Sequence, residues 1–208
     1  RGSSGKAFSH GSIFGSLFFS YLCGGECLEN INVLIEQFRQ KPDTLLPSAD
    51  TEGRGLKEFA EENIVYKSET SGRSYSFNTA EKLNIFLLRM IRKMGLIKVG
   101  SHVDLDFNHQ FIPAHKFDTK YSYKQDHSYF PGWASTGGII VGDENGDGNT
   151  NVKFHQEDTL RRIMDRVTSE LGAVIERFRT DSGSFSKEII QTIESRCNTF
   201  YIRAANCG

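Results

Sequence analysis

Proline and cysteine are scarce in this sequence, charge of one sign is missing, and no apolar run is long. The 208 residues include four prolines and four cysteines, and the formal net charge is −1. The cysteines (Cys23, Cys27, Cys197, Cys207) are too few and too scattered for a disulfide framework, which fits a reducing cytoplasm. Cys23 and Cys27 stand one helical turn apart, but no His or Cys pair lies nearby to complete a metal site, so free thiols are expected. With charge nearly balanced, any hold on nucleic acid has to come from local basic patches, and the bulk charge argues neither for nor against it. No stretch approaches the roughly 18 apolar residues of a membrane span. The most apolar segment, Ser12 to Cys23, lacks a basic cluster before it and a small-residue cleavage site after it, so a buried helix is expected there instead of a signal peptide.

What is present describes an ordered globular chain, neither disordered nor fibrous: 38% hydrophobic residues, 25% charged residues and sixteen phenylalanines to fill a core. The length suits one sizeable domain or two small ones. The sequence opens on Arg1 and stops on Cys207-Gly208 just after a strand-like run, and a fragment of a longer protein is expected.

A change of periodicity near Gly100 predicts a helical region over 1–100 and a strand-rich region over 101–208. In the first, helices are expected over Gly11 to Leu22, Glu26 to Arg39, Ala49 to Glu62 behind an N-capping Ser48, and Thr79 to Met94 behind Asn78. A short polar hairpin or loop is expected over Tyr66 to Phe77. Short helices with tight turns suit a DNA-docking helix-turn-helix or a bundle that only packs, and no helix here declares itself for a groove. In the second region, strands are expected at His102 to Ile112, Trp133 to Gly142, Asn151 to His155, Val174 to Thr180 and Thr199 to Ala204. Helices are expected at Thr159 to Leu171 and from Ser186 to about Arg196. The order β-β-β-α-β-α-β is that of an α/β (α+β), RNase H-like mixed sheet with flanking helices. The run Asp143 to Asn149 matches the opening of a calcium-binding EF-hand loop. Its twelfth position is Phe154, where such loops need a bidentate Glu, so a hairpin turn is expected instead.

Two carboxylates stand out by placement. Asp106 lies mid-strand in VDLDFNHQFIP (Val103 to Pro113), where a period of two puts Asp104, Asp106 and Asn108 on one face. Asp181 sits at the carboxyl end of the predicted fourth strand, where Ser182-Gly183 releases the chain, and ligand sites favour such ends. Taken singly, each is an ordinary strand-end or turn aspartate. Together, if their strands are neighbours, they converge and need a divalent cation between them. Between the first two strands, His115 to Trp133 interleaves Lys116, Lys120 and Lys124 with aromatics that include Tyr121 and Tyr123. Cations suit phosphates and aromatic faces suit unstacked bases. A loop whose aromatics cover one sheet face is the equal alternative.

The segment RTDSGSFSKE (Arg179 to Glu188) resembles the second-aspartate motif of bacterial insertion-sequence transposases with a DDE catalytic triad. LDFNHQFIP (Leu105 to Pro113) resembles that family's first-aspartate strand. GSLFFSYLCGGECLENIN (Gly15 to Asn32) and PSADTEGRGLKEFA (Pro47 to Ala60) resemble its amino-terminal helical region. The resemblance implies that Asp106 and Asp181 are catalytic metal ligands, with Asn108, Arg179, Ser182 and Gly183 as supporting motif positions. The family often has Asp where Asn108 stands. It further implies two Mg²⁺ ions that activate water or a 3′-hydroxyl, double-stranded DNA as partner at element ends and target, a possible homodimer, and a cytoplasmic, non-membrane setting. The family's third carboxylate, a Glu on a helix beyond the last strand, has no counterpart here, so these residues alone are expected to bind metal weakly and not to transpose. Another RNase H-like nuclease and a non-catalytic DNA-binding remnant are the alternatives.

Overall fold

The computed structural model describes residues 8–41 and 45–204. The chain divides into two compact units between Ala60 and Glu61. The boundary expected near Gly100 is therefore corrected. Residues 61–100 carry a hairpin and a helix that pack within the second unit, and a helical period alone cannot report which unit a helix joins.

The first unit is helical: α1 (His10–Leu22), α2 (Ile31–Phe38, entered through a 3₁₀ turn at Leu28–Asn30) and α3 (Ala49–Lys57). Local caps place the starts. Ser9 Oγ accepts the Ser12 N–H at 3.1 Å, and Ser48 Oγ caps α3 through the Thr51 N–H. α3 stops at Lys57, short of Glu62. α1 buries Ile13, Ser16 and Ser20, and the approach of Ile13 to α3 needs Gly55, since any side chain there meets Ile13. Glu52 is buried, and desolvation raises its pKa.

The second unit is a mixed sheet with helices against one face. Its strands are β1 (Ile64–Lys67), β2 (Ser74–Asn78), β3 (His102–His109), β4 (Ile112–Pro113), β5 (Lys120–Tyr121), β6 (His127–Thr136), β7 (Ile139–Asp147), β8 (Val174–Thr180) and β9 (Thr199–Ile202). The lateral order is β1-β2-β7-β6-β3-β8-β9, with β4 and β5 paired to β6. The pairs β3–β8 and β8–β9 are parallel, and the other pairs antiparallel. Helices α4 (Glu81–Lys93), α5 (Gln156–Leu171) and α6 (Lys187–Glu194) supply Leu88, Ile91, Leu160, Ile163, Ile189 and Ile193 to a core that meets Leu105, Phe107, Ile175 and Phe178 of the sheet. Among the described residues no helix is long and apolar enough to cross a membrane.

Three expectations are corrected in this unit. The strand expected over Trp133 to Gly142 is two strands, joined by Gly137-Gly138, both at positive φ (55° and 82°). With Thr136 paired to Ile139 they form a two-residue hairpin loop whose positive φ at both positions suits glycine. The run Asp143 to Asp147, expected as a turn, is therefore strand β7, and residues 152–155, expected as a strand, are turns. The buried stripe of α4 runs through Asn84, Leu88 and Ile91, while Leu83, Phe86 and Met90 are exposed. The reason is a tether: the Asn84 side chain donates to Asp143 O at 2.7 Å and accepts from Asp143 N at 3.0 Å, so it must face β7. Valine in place of Gly138 should destabilise the chain by about 1–2 kcal/mol, because a side chain at positive φ crowds its own carbonyl. A urea midpoint unmoved by Gly138→Val would contradict this.

Candidate functional site

The register of β3 against β8 decides what each aspartate meets. Asp104 lies opposite Arg177 and Asp106 opposite Arg179 on the parallel ladder. Residues opposed in a sheet point to one face, here the face away from the core, since Val103, Leu105 and Phe107 take the other. Each pair closes as a two-point ion pair. Arg177 Nε and Nη2 reach the Asp104 oxygens at 2.7 Å each. Arg179 Nε reaches Asp106 Oδ1 at 2.7 Å and its Nη2 reaches Oδ2 at 2.8 Å. The Arg177 guanidinium holds the Asp104 carboxyl below the usual carboxylate range.

Asp181 follows β8 by one residue. Its Oδ1 accepts the Gly183 N–H at 2.8 Å and so caps the 3₁₀ turn Ser182–Ser184. Gly183 leaves room for that carboxylate, because a Cβ there would stand 2.9 Å from Oδ1. Asp181 lies two residues beyond the partner of Asp106, just past the end of the ladder at Thr180. The structure thus brings the two aspartates' strands together, while each carboxylate has its own local partner. An open groove of about 620 Å³ lies over Asp106, Asn108, Trp133, Ser135 and Ile140. Asp181 is not among the groove's lining residues.

No model of a known protein family matches this chain, and no curated protein is significantly similar to it.

Behind the strand ends sits His109, absent from the sequence expectations. It belongs to the core-side face of β3, stacks on Phe130 at 4.9 Å and meets the Phe107 edge at 5.1 Å. Gly132 makes this possible, since a Cβ there would come within 2.9 Å of His109 Nε2. Gln156 Nε2 lies 3.3 Å from its Nδ1. Burial lowers the His109 pKa to about 4, against a smaller upward pull from the Asp181 charge. Period-two alternation from Val103 could have placed His109 on the buried face.

As for cations, Asp106, Asn108 and Asp181 are hard oxygen donors of the kind Mg²⁺ takes. An ion at Asp106 would have to compete with Arg179 for both carboxylate oxygens. Among the described residues, the group whose ligand atoms gather within 4.8 Å of one another is His155, Glu157 and Asp158. Asp158 there is already paired to Arg161 and His155, so that group is accounted for as an ion-pair cluster.

The lysine- and aromatic-rich segment is a surface excursion pinned by its small residues. Thr119 and Ser122 are buried, while Lys116, Phe117, Lys120, Tyr121, Tyr123 and Lys124 face outward. Lys124 Nζ lies 5.2 Å from the Tyr123 ring centre. Phe117, Tyr121 and Tyr123 are thus exposed, while Tyr129, Phe130 and Trp133 of the same segment belong to strand β6. Tyr129, on β6, donates its hydroxyl to Asp118 at 2.7 Å, and burial together with that carboxylate pushes its pKa up to about 12.

Proposed function

We propose that this chain carries the DNA-processing core of a DDE-type insertion-sequence transposase, built on an RNase H-like sheet. The observation that carries the reading is the parallel pairing of β3 with β8 at the centre of the order β7-β6-β3-β8-β9. That is the arrangement the resemblance requires, three antiparallel strands continued by two parallel ones, with the Asp106 strand beside the one ending at Asp181. Asp106, Asn108 and Asp181 would hold Mg²⁺, which supplies a nucleophile at neutral pH and neutralises charge at the scissile phosphate. The protein's own residues do the rest. Asp106 and Asp181 would orient the cation, Arg179 would neutralise Asp106 until then, and the outward lysines at 116, 120 and 124 would attract the phosphate backbone.

One observation favours a second reading, a DNA-binding remnant without catalysis: both Asp106 oxygens are occupied by Arg179. A manganese titration followed by electron paramagnetic resonance separates the two. On the catalytic reading Asp181→Ala weakens Mn²⁺ binding at least about tenfold. Arg179→Gln strengthens it by unmasking Asp106, and Asn108→Asp strengthens it by adding a charge. Mn²⁺ binding indifferent to Asp106→Ala and Asp181→Ala would reject the catalytic reading.

A further inference from the structure

A second groove, of about 520 Å³, opens between β2 and β7 on one side and the β4–β5 excursion on the other. We propose that it receives an unpaired nucleobase of a single-stranded DNA segment. This inference rests on the DNA-processing reading above and adds the form of the DNA that is bound.

The groove shares the open sheet face with Asp106. Along β6, Ser128, Gly132 and Ala134 are buried, so the alternate residues Tyr129 and Trp133 point the other way. Tyr129 lines this groove and Trp133 lines the groove over Asp106. Four residues of strand separate them, about 13 Å, a span of a few nucleotides in a splayed strand.

The lining is chemically suited to a base edge. Asn78 and Asn145 are rung partners, and the Asn78 amide donates to Asn63 Oδ1 at 2.9 Å. Asn145 Oδ1 is buried with no hydrogen-bond partner among the described residues. The Asn145 side chain as a whole is only partly buried and lines the groove, so a small turn of its amide would bring this orphaned acceptor to an N–H of the ligand. Asp147 Oδ2 takes the Ser76 N–H at 2.9 Å and keeps acceptor capacity for more. At the rim Phe117 is 101% exposed, an aromatic face with nothing packed on it.

Charge narrows the ligand class. Asp118 and Asp147 outnumber Lys120 among the lining residues, which disfavours a phosphate inside the groove. A base is neutral, offers both donors and acceptors along its edge, and has a π face for Phe117. In a duplex that edge is already paired, so the groove selects an unpaired base. An arginine side chain of a basic peptide would also satisfy the carboxylates, and the experiment separates it.

Fluorescence anisotropy on the full chain compares three probes: a single-stranded oligonucleotide, its duplex, and the same strand carrying abasic positions. An oligo-arginine peptide serves as competitor. The proposal expects the single strand to bind more tightly than both the duplex and the abasic strand. Phe117→Ala, a change at a fully exposed position, should weaken single-strand binding roughly tenfold, and Asn145→Ala should weaken it as well. Neither variant should alter the Mn²⁺ titration. Equal affinity for intact and abasic strands, indifference to Phe117→Ala, or displacement of the strand by oligo-arginine with groove variants losing peptide affinity instead would overturn it. If Mn²⁺ binding ignores Asp106 and Asp181 while the strand still needs Phe117 and its bases, the catalytic reading fails and the groove stands.

Discussion

Glu144→Ala is expected to cost about 3–5 kcal/mol of folding stability, the range for removing one partner of a buried ion pair. The Glu144 side chain is 0% exposed on the helix side of β7. Arg162 contacts it through Nε at 2.9 Å and Nη2 at 2.6 Å, and Arg166 through Nη2 at 2.8 Å. Arg166 also reaches Glu81 of α4 at 2.6 Å, so one carboxylate and two guanidiniums tie α4, α5 and β7 together. Removing the carboxylate leaves the half-buried Arg162 without its ion-pair partner and the buried Arg166 with Glu81 alone. Glu144→Gln keeps an acceptor and should cost less. Converting the cluster to apolar residues (Glu144→Leu, Arg162→Met, Arg166→Leu) should recover most of the loss, because buried ion pairs repay little more than their own desolvation. Urea denaturation of the variants measures all three. A loss below about 1 kcal/mol for Glu144→Ala would show that water reaches the arginines.

The second large effect is an acid one. His109 is held neutral by burial, with a folded pKa of about 4 against an ordinary value of 6.5. Between those values the unfolded chain binds a proton that the folded chain refuses, so stability rises with pH across the window and is complete above about 6.5. Below about 4 the loss reaches about 3 kcal/mol, from the difference of the two pKa values at 1.36 kcal/mol per unit. Asp143, whose carboxyl burial pushes upward, acts with the opposite sign. The informative quantity is therefore the difference between wild type and His109→Phe or His109→Gln. Thermal melts from pH 7 to pH 4 should fall more steeply for the wild type. Parallel curves would mean that the imidazole already meets solvent.

Much of the second unit was readable from sequence where the signals are local. β8 keeps the predicted bounds Val174–Thr180, and Ser186 caps α6 through the Ile189 N–H at 3.3 Å, as a serine before an amphipathic run predicts. The hairpin at Ser71-Gly72 forms between β1 and β2. Reading failed where a short signal competed with a longer one. Gly137-Gly138 marks a hairpin, yet apolar residues on both sides suggested one continuous strand, and the acidic run at Asp143 looked more turn-like than strand-like. Partners that depend on register were out of reach. Nothing local says that Arg179 faces Asp106, because both belong to motifs that read independently. His109 was overlooked because the same strand carried three more conspicuous polar residues on its other face.

The order in which these strands must assemble has its own consequence. β6 and β7 are joined by two residues and can zip within microseconds of collapse. The parallel ladder of β3 with β8 links residues 73 apart, as in the pairs Asp104–Arg177 and Asp106–Arg179. Closing so long a loop costs entropy before any contact repays it. A nascent or thermally stressed chain will hold its hairpins well before β8 docks, with the unpaired edge of β3 open to other strands in the interval. Aggregation during refolding should therefore track the concentration of chains whose hairpins are complete and whose β8 is still searching.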